Sequence, residues 1–178
     1  MREKVLVTGG CRSGKTARAL WLAESCGAQR KIYIATCVPR DPEMEERVSK
    51  HKAERGSGWV TLEEPLLLAE AVARESREGT VLLVDCLTLW LSNLLVEGRE
   101  EDALPGLFSG LAHALGRAAG PVICVSNEVG AGIVPENALA RRFRDLSGLL
   151  NQRVACAADR VLWMVAGIPV QVKGGGRP

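Results

Sequence analysis

Val5-Leu6-Val7-Thr8-Gly9-Gly10-Cys11-Arg12-Ser13-Gly14-Lys15-Thr16 reads as a short buried strand, a glycine-rich turn and the first residues of a helix. Gly9 to Thr16 fits G-x-x-x-x-G-K-[S/T]. Glycines let the backbone curl so that successive N–H groups aim at phosphate oxygens. The helix N-terminus adds a partial positive charge at the same place. Lys15 then reaches the β- and γ-phosphates of a nucleotide, and Thr16 offers its hydroxyl to Mg²⁺. A plain glycine turn before a lysine is the competing reading. The strand on one side and the helix on the other favour the phosphate cradle. The motif names a nucleoside triphosphate but not the acceptor of its phosphate.

Outward from this point, apolar runs alternate with amphipathic ones. Strands are expected at Lys31–Cys37, Trp59–Leu62, Thr80–Val84, Pro121–Ser126, Arg160–Val165 and Val170–Lys173, the last two as a hairpin about Gly167-Ile168-Pro169. Helices are expected at Lys15–Ser25, Asp41–Arg55, Leu66–Arg77, Leu87–Val96, Ala103–Ala119 and Glu136–Ala158. The second begins with Asp41 as cap and Pro42 at its first position. Its acids come first and its bases last, in the order that suits the helix dipole. Strands that are apolar throughout and alternate with helices imply an α/β fold, a mostly parallel sheet with helices on both faces. The expected layout is one catalytic domain over residues 1–173, followed by a disordered tail at 174–178.

Composition narrows the function classes. The chain has 178 residues, 25% of them charged, with a net charge of +2. That balance speaks against a nucleic-acid partner, and aromatic residues are too scarce to stack bases. The longest apolar stretches are interrupted by Asp85, Asn93 and Pro169, so no membrane span is expected. Six cysteines stand at 11, 26, 37, 86, 124 and 156, without a C-x-x-C pair. This fits reduced thiols in a cytoplasmic protein rather than a zinc site.

Three further groups bear on chemistry. Asp85 ends the run Val81–Val84, where a second acid beside the cradle would support the metal; with the cradle present this reading is preferred to a plain cap on the following helix. The loop Ser126–Gly132 follows another buried strand. It either faces the same crevice beyond the strand ends or is an ordinary connection. The sequence makes no kinase base evident, and Glu128 in this loop is no more than a guess at one. His51 shares a helix face with Met44 and Val48, and the pattern alone makes it a surface histidine.

The combination of segments is more particular than any one of them. Gly9-Gly10-Cys11-Arg12-Ser13-Gly14-Lys15-Thr16 is followed by Tyr33-Ile34-Ala35-Thr36, by Arg47-Val48-x-x-His51-Lys52-x-x-Arg55 and by Trp59-x-Thr61-x-Glu63. Asp85-Cys86-Leu87-Thr88 with Asn93, Asn127–Pro135 and Arg141–Ala155 complete the series. In order and spacing the chain, from Val5 to about Lys173, resembles the bifunctional adenosylcobinamide kinase / adenosylcobinamide-phosphate guanylyltransferase family of cobalamin biosynthesis. The resemblance implies a P-loop core of RecA type, usually trimeric. It implies that ATP or GTP phosphorylates adenosylcobinamide, and that GMP then passes from GTP to adenosylcobinamide phosphate through a guanylylated histidine. His51 matches that histidine. The resemblance also implies nucleotide contacts from Ile34, Ala35, Thr36, Lys52, Ala53, Glu54, Arg55, Glu63 and Asp85, with Thr16 and Asp85 at the metal.

A P-loop kinase of another small molecule, or a nucleotide-binding switch without turnover, would carry the same cradle. Neither accounts for the Tyr33–Glu63 and Asn127–Pro135 blocks.

Overall fold

In the computed structural model, residues 2–39 and 42–174 are described, apart from the side chains of Glu43, Arg47, Lys50, His51 and Glu54. The elements are β1 Lys4–Gly9, α1 Lys15–Ser25, β2 Arg30–Ala35, α2 Pro42–Arg55, β3 Trp59–Glu63, α3 Leu68–Glu75 and β4 Thr80–Asp85. They continue with α4 Leu87–Val96, a 3-10 turn at Glu101–Ala103, α5 Leu104–Arg117, β5 Val122–Asn127, α6 Ala138–Ala157, β6 Arg160–Val165 and β7 Ile168–Lys173.

The seven strands form one sheet in the order β3-β2-β4-β5-β1-β6-β7. Every neighbouring pair is parallel except β6 with β7. β1, β4 and β5 are almost wholly buried. That is why they read as continuous apolar runs rather than as alternating ones.

Successive residues point to opposite faces, and the two faces bury different sets. Val5, Val7, Tyr33, Val81, Leu83, Ile123, Val125, Leu162 and Met164 pack with Ala19, Leu22 and Ala23 of α1. Leu6, Ile32, Ile34, Leu82, Val84, Val122 and Cys124 pack under α3, α4, α5 and α6, around Trp90, Phe108, Leu111 and Leu150. Each fully buried large side chain contributes roughly 1.5–3 kcal/mol. The expected α/β fold with helices on both faces is the one observed.

Three boundaries differ from the sequence reading for local reasons. Glu64 accepts from the backbone N–H of Leu66 (3.2 Å) and of Leu67 (2.8 Å), so α3 starts after them, at Leu68. Asn137 caps α6 by accepting from Ala140 N–H at 3.0 Å, which moves the start from Glu136 to Ala138. The hairpin turn is Ala166-Gly167, with φ of 50° and 84°. Ile168 and Pro169 belong to β7, an edge strand where a proline costs no sheet hydrogen bond. Asp41, the expected cap of α2, lies outside the described residues, as do 175–178 of the expected tail. Gly174 packs closely on Asp159 and Arg160.

Candidate nucleotide site

Parallel strands end on one edge of the sheet, and the predicted residues gather there. The register aligns Ala35 with both Glu63 and Asp85, and Gly9 with both Asn127 and Met164. The carboxyl ends of β1 to β6 thus form one rim, the usual place for a ligand in such a sheet.

The cradle itself is tightly built. Gly9 has φ of 151°, and a Cβ there would stand 2.6 Å from the Met164 carbonyl and 2.8 Å from Ser13 Oγ. No side chain fits. The β6–β7 turn braces the loop from outside, with Gly167 N–H donating to the Ser13 carbonyl at 3.1 Å. Gly14, left-handed at φ 89°, caps α1 without a side-chain hydrogen bond. The first N–H groups of α1 therefore have no side chain competing for them. Lys15 is buried, and its Nζ donates to the Gly10 carbonyl at 2.5 Å. Burial lowers its pKa below the ordinary lysine value, partly offset by Cys86, Cys11 and Asp85. Ser13 Oγ is buried without a hydrogen-bond partner. Cys11 and Arg12 are exposed at the loop's tip.

Thr16 and Asp85 are brought together as expected: the threonine hydroxyl donates to Asp85 Oδ2 at 3.1 Å. Tyr33 also donates to that oxygen, at 2.8 Å. Burial, and then the Asp85 charge, push the Tyr33 pKa well up, so the phenol keeps its proton and remains a donor. The Arg55 guanidinium lies 3.5 Å from the centre of the Tyr33 ring. That contact ties the last residue of α2 to the carboxylate's support. Arg55 also donates to Thr61 Oγ1 at 3.4 Å, and Lys52 pairs with Glu63 at 3.2 Å.

The remaining predicted residues divide. Ile34 is buried in the four-helix core. Thr36 is buried too, and its hydroxyl donates to the Cys86 carbonyl (2.7 Å) and accepts from Cys86 N–H (2.8 Å). Ala35 is half-buried between them. Ala53 lies exposed on α2. His51 and Glu54 stand in α2, one turn and one residue before Arg55, and their side chains lie outside the described residues.

Tyr33 and Asn93 carry more of the geometry than their place in a motif suggested. Asn93 donates to the carbonyls of Thr36 (2.7 Å) and Pro65 (3.2 Å), which fixes the ends of β2 and α3 together. The available signal was a lone tyrosine in an apolar strand and an asparagine in an apolar helix; each needs a polar partner when buried.

Beyond β5, the Ser126–Gly132 loop does meet the cradle. Glu128 N–H donates to the Gly9 carbonyl at 2.9 Å. The Glu128 carboxylate turns back to accept from Gly130 N–H at 2.7 Å.

The oxygens of Thr16 and Asp85 make a hard donor set that fits Mg²⁺. Together with uncapped helix N–H groups and a buried lysine, they suit the phosphates of a nucleotide. Among solved structures, the RadB recombinase resembles the chain in fold, with a TM-score of 0.58 over 99% of this chain and 83% of that one at 17% identity. The flagellar accessory protein FlaH of Methanocaldococcus jannaschii matches with a TM-score of 0.52, covering 97% of this chain and 79% of that one, at 12% identity. At such identities the likeness is one of fold, and the fold is that of P-loop NTPases.

Sequence relatives are much nearer. The bifunctional adenosylcobalamin biosynthesis protein CobP of Pseudomonas aeruginosa is 46% identical over 169 residues, covering 95% of this chain and 96% of that protein. The bifunctional adenosylcobalamin biosynthesis protein CobU of Escherichia coli is 38% identical over 95% of this chain and 99% of its own length. The family profile described as cobinamide kinase / cobinamide phosphate guanyltransferase matches residues 5–172, a span that runs from the cradle strand through the hairpin bracing it. With cradle, rim and relatives in agreement, the chain belongs to the cobinamide kinase / cobinamide phosphate guanylyltransferase family.

Proposed function

We propose that the protein phosphorylates adenosylcobinamide with ATP or GTP and then transfers GMP from GTP, through His51, to adenosylcobinamide phosphate. The observation that carries this reading is the Thr16–Asp85–Tyr33–Arg55 chain of contacts, which ties the helix bearing His51 to the phosphate cradle.

In the first reaction the backbone N–H groups of Gly9–Gly14 and the Lys15 ammonium hold the β- and γ-phosphates. Lys15 exchanges the Gly10 carbonyl for phosphate oxygens. Thr16 and Asp85 would hold Mg²⁺, which when bound would offset the charge of the phosphates. Glu128, whose N–H is bonded to the cradle at Gly9 and whose carboxylate now accepts from Gly130 N–H, is offered as the group that takes the proton of the acceptor hydroxyl.

In the second reaction a neutral imidazole nitrogen of His51 attacks the α-phosphorus of GTP. A P–N bond forms, the α–β P–O bond breaks and pyrophosphate leaves. The phosphate of adenosylcobinamide phosphate then displaces the histidine. Lys52, Arg55 and Glu63 lie on the side of the rim where the guanosine of GTP would rest.

No helix among the described residues is long and apolar enough to cross a membrane. We place the protein in the cytoplasm as a homotrimer. Trp163, Val165, Ile168, Val170 and Val172 leave an apolar face on the β6–β7 hairpin that would suit such assembly.

The test uses α-labelled GTP with Mg²⁺ on wild type and His51→Ala. The expected result is wild-type label that survives base, is released by acid and is missing from the variant. Equal labelling of the variant would remove His51 from the route.

A further inference from the structure

The loop between β5 and α6 holds two apolar side chains out of the protein beside the phosphate site. Ile133 is 96% exposed and Val134 65%. Left to itself a glycine-containing loop would fold such residues inward, since exposing large apolar groups next to one another is unfavourable.

Two arginines of α6 prevent this. Arg144 donates to the carbonyls of Gly132 and Ile133, both at 2.9 Å, and also to that of Gly130. Arg141 donates to the carbonyls of Pro135 (3.0 Å) and Glu136 (2.6 Å). The base of the loop is bonded to the cradle through Glu128 N–H and Gly9. The apolar tip is thus fixed in space relative to the phosphates, which is what a positioning surface needs and a mere connection does not.

The loop's place in the fold selects its occupant. It is held by α6, whose apolar face belongs to the four-helix core. Tyr33 and the end of α2 that stacks on it belong to the opposite face of the sheet. Lys52 and Arg55, which the assigned function gives to the nucleotide, therefore lie on one side, and the β5–α6 loop borders the other. A kinase must hold its acceptor hydroxyl at the γ-phosphate while the rest of the acceptor lies beyond the rim. Here the acceptor is a large macrocycle studded with methyl groups, with its hydroxyl on a flexible arm. An apolar ledge at a fixed distance from the cradle matches that shape.

We propose that Ile133 and Val134, held outward by Arg141 and Arg144, form the docking ledge for the corrin ring of the cobinamide substrate. The proposal rests on the function assigned above. Self-guanylylation requires GTP and Mg²⁺ but no corrinoid, so it separates the two.

The double variant Ile133→Ser/Val134→Ser is compared with wild type in three measurements: kinase rate against adenosylcobinamide concentration, labelling by α-labelled GTP, and mass by sedimentation. The expected result is a corrinoid KM raised roughly tenfold or more, as for loss of an apolar pocket contact. The KM for the nucleotide, the labelling stoichiometry and the sedimenting mass stay as in wild type. An unchanged corrinoid KM overturns the ledge. So does a parallel loss of labelling, which would put the loop on the nucleotide, or a fall in mass, which would make it a subunit contact. If wild type itself takes no label, the histidine route fails, and the kinase arm still decides the ledge.

Discussion

The two ends of the sheet treat buried lysines in opposite ways. At the amino end, Lys4 donates through Nζ to the carbonyls of Ala118 (3.0 Å) and Gly120 (3.1 Å), and its backbone N–H donates to Asp159 at 2.7 Å. Ser76 nearby accepts from Ala119 N–H at 2.7 Å. These groups join chain segments to one another and reach no crevice. At the carboxyl end, Lys15 has one backbone carbonyl, Gly10, and Ser13 Oγ has no partner. Burial lowers the pKa of both lysines. The titration direction alone does not tell a structural lysine from a functional one. Their partners do: Lys4 is held by several fixed acceptors, while Lys15 has one that a phosphate can replace.

The sharpest way to break this contrast is Lys15→Ala. It should lower both transfer reactions by at least a hundredfold, as loss of a charge at the transferring phosphate does. Its thermal midpoint should stay within a few degrees of wild type. A large drop in that midpoint would make Lys15 a structural residue like Lys4.

Lys4→Ala should do the reverse. It leaves the Ala118 and Gly120 carbonyls buried without their donor, at about 1–3 kcal/mol. For a chain of this size that lowers the melting temperature by roughly 2–4 °C per kcal/mol. The kcat of the protein that remains folded is expected to match wild type. A variant as stable as wild type would show that water replaces the ammonium at no cost.

Tyr33→Phe is the mildest change and refines the comparison at the active end. It keeps the ring under Arg55 and removes only the hydrogen bond to Asp85. The expected effect is about 1 kcal/mol, or roughly fivefold, seen as a higher Mg²⁺ concentration for half-maximal rate. Asp85→Asn should shift the same curve further. If Asp85→Asn shifts it and Tyr33→Phe does not, the phenol is packing rather than support.

Much of this was legible beforehand because local signals and tertiary outcome agree. The run from Val5 to Thr16 states its own strand, turn and helix, since glycine, lysine and threonine are needed at fixed offsets for one ligand. Asp85 was legible because a polar residue ending an apolar strand must surface where the strand does. Tyr33 was harder. Its role depends on a partner far along the chain, and tyrosine in a strand is common for packing reasons alone. The hairpin turn was misplaced because Gly167-Ile168-Pro169 looks like a break in sequence. The backbone instead accepts Ala166 at positive φ, since a two-residue turn of that hand matches the twist of its strands. Ile133 gave no signal of its exposure. Only Arg141 and Arg144, a helix turn and more away, decide which way that loop faces.

By itself the sequence determined the layered α/β fold and the cradle, because these follow from periodicity and from residues at fixed local spacing; the family came from its resemblance to known proteins. The tertiary structure decided the partners of the two buried lysines, fixing Lys4 on the Ala118 and Gly120 carbonyls and leaving Lys15 on Gly10 alone. It also joined Tyr33 to both Asp85 and Arg55, and fixed the β5–α6 loop with its apolar tip outward. Those outcomes depend on hydrogen bonds and packing between segments distant in the chain, which no local pattern encodes.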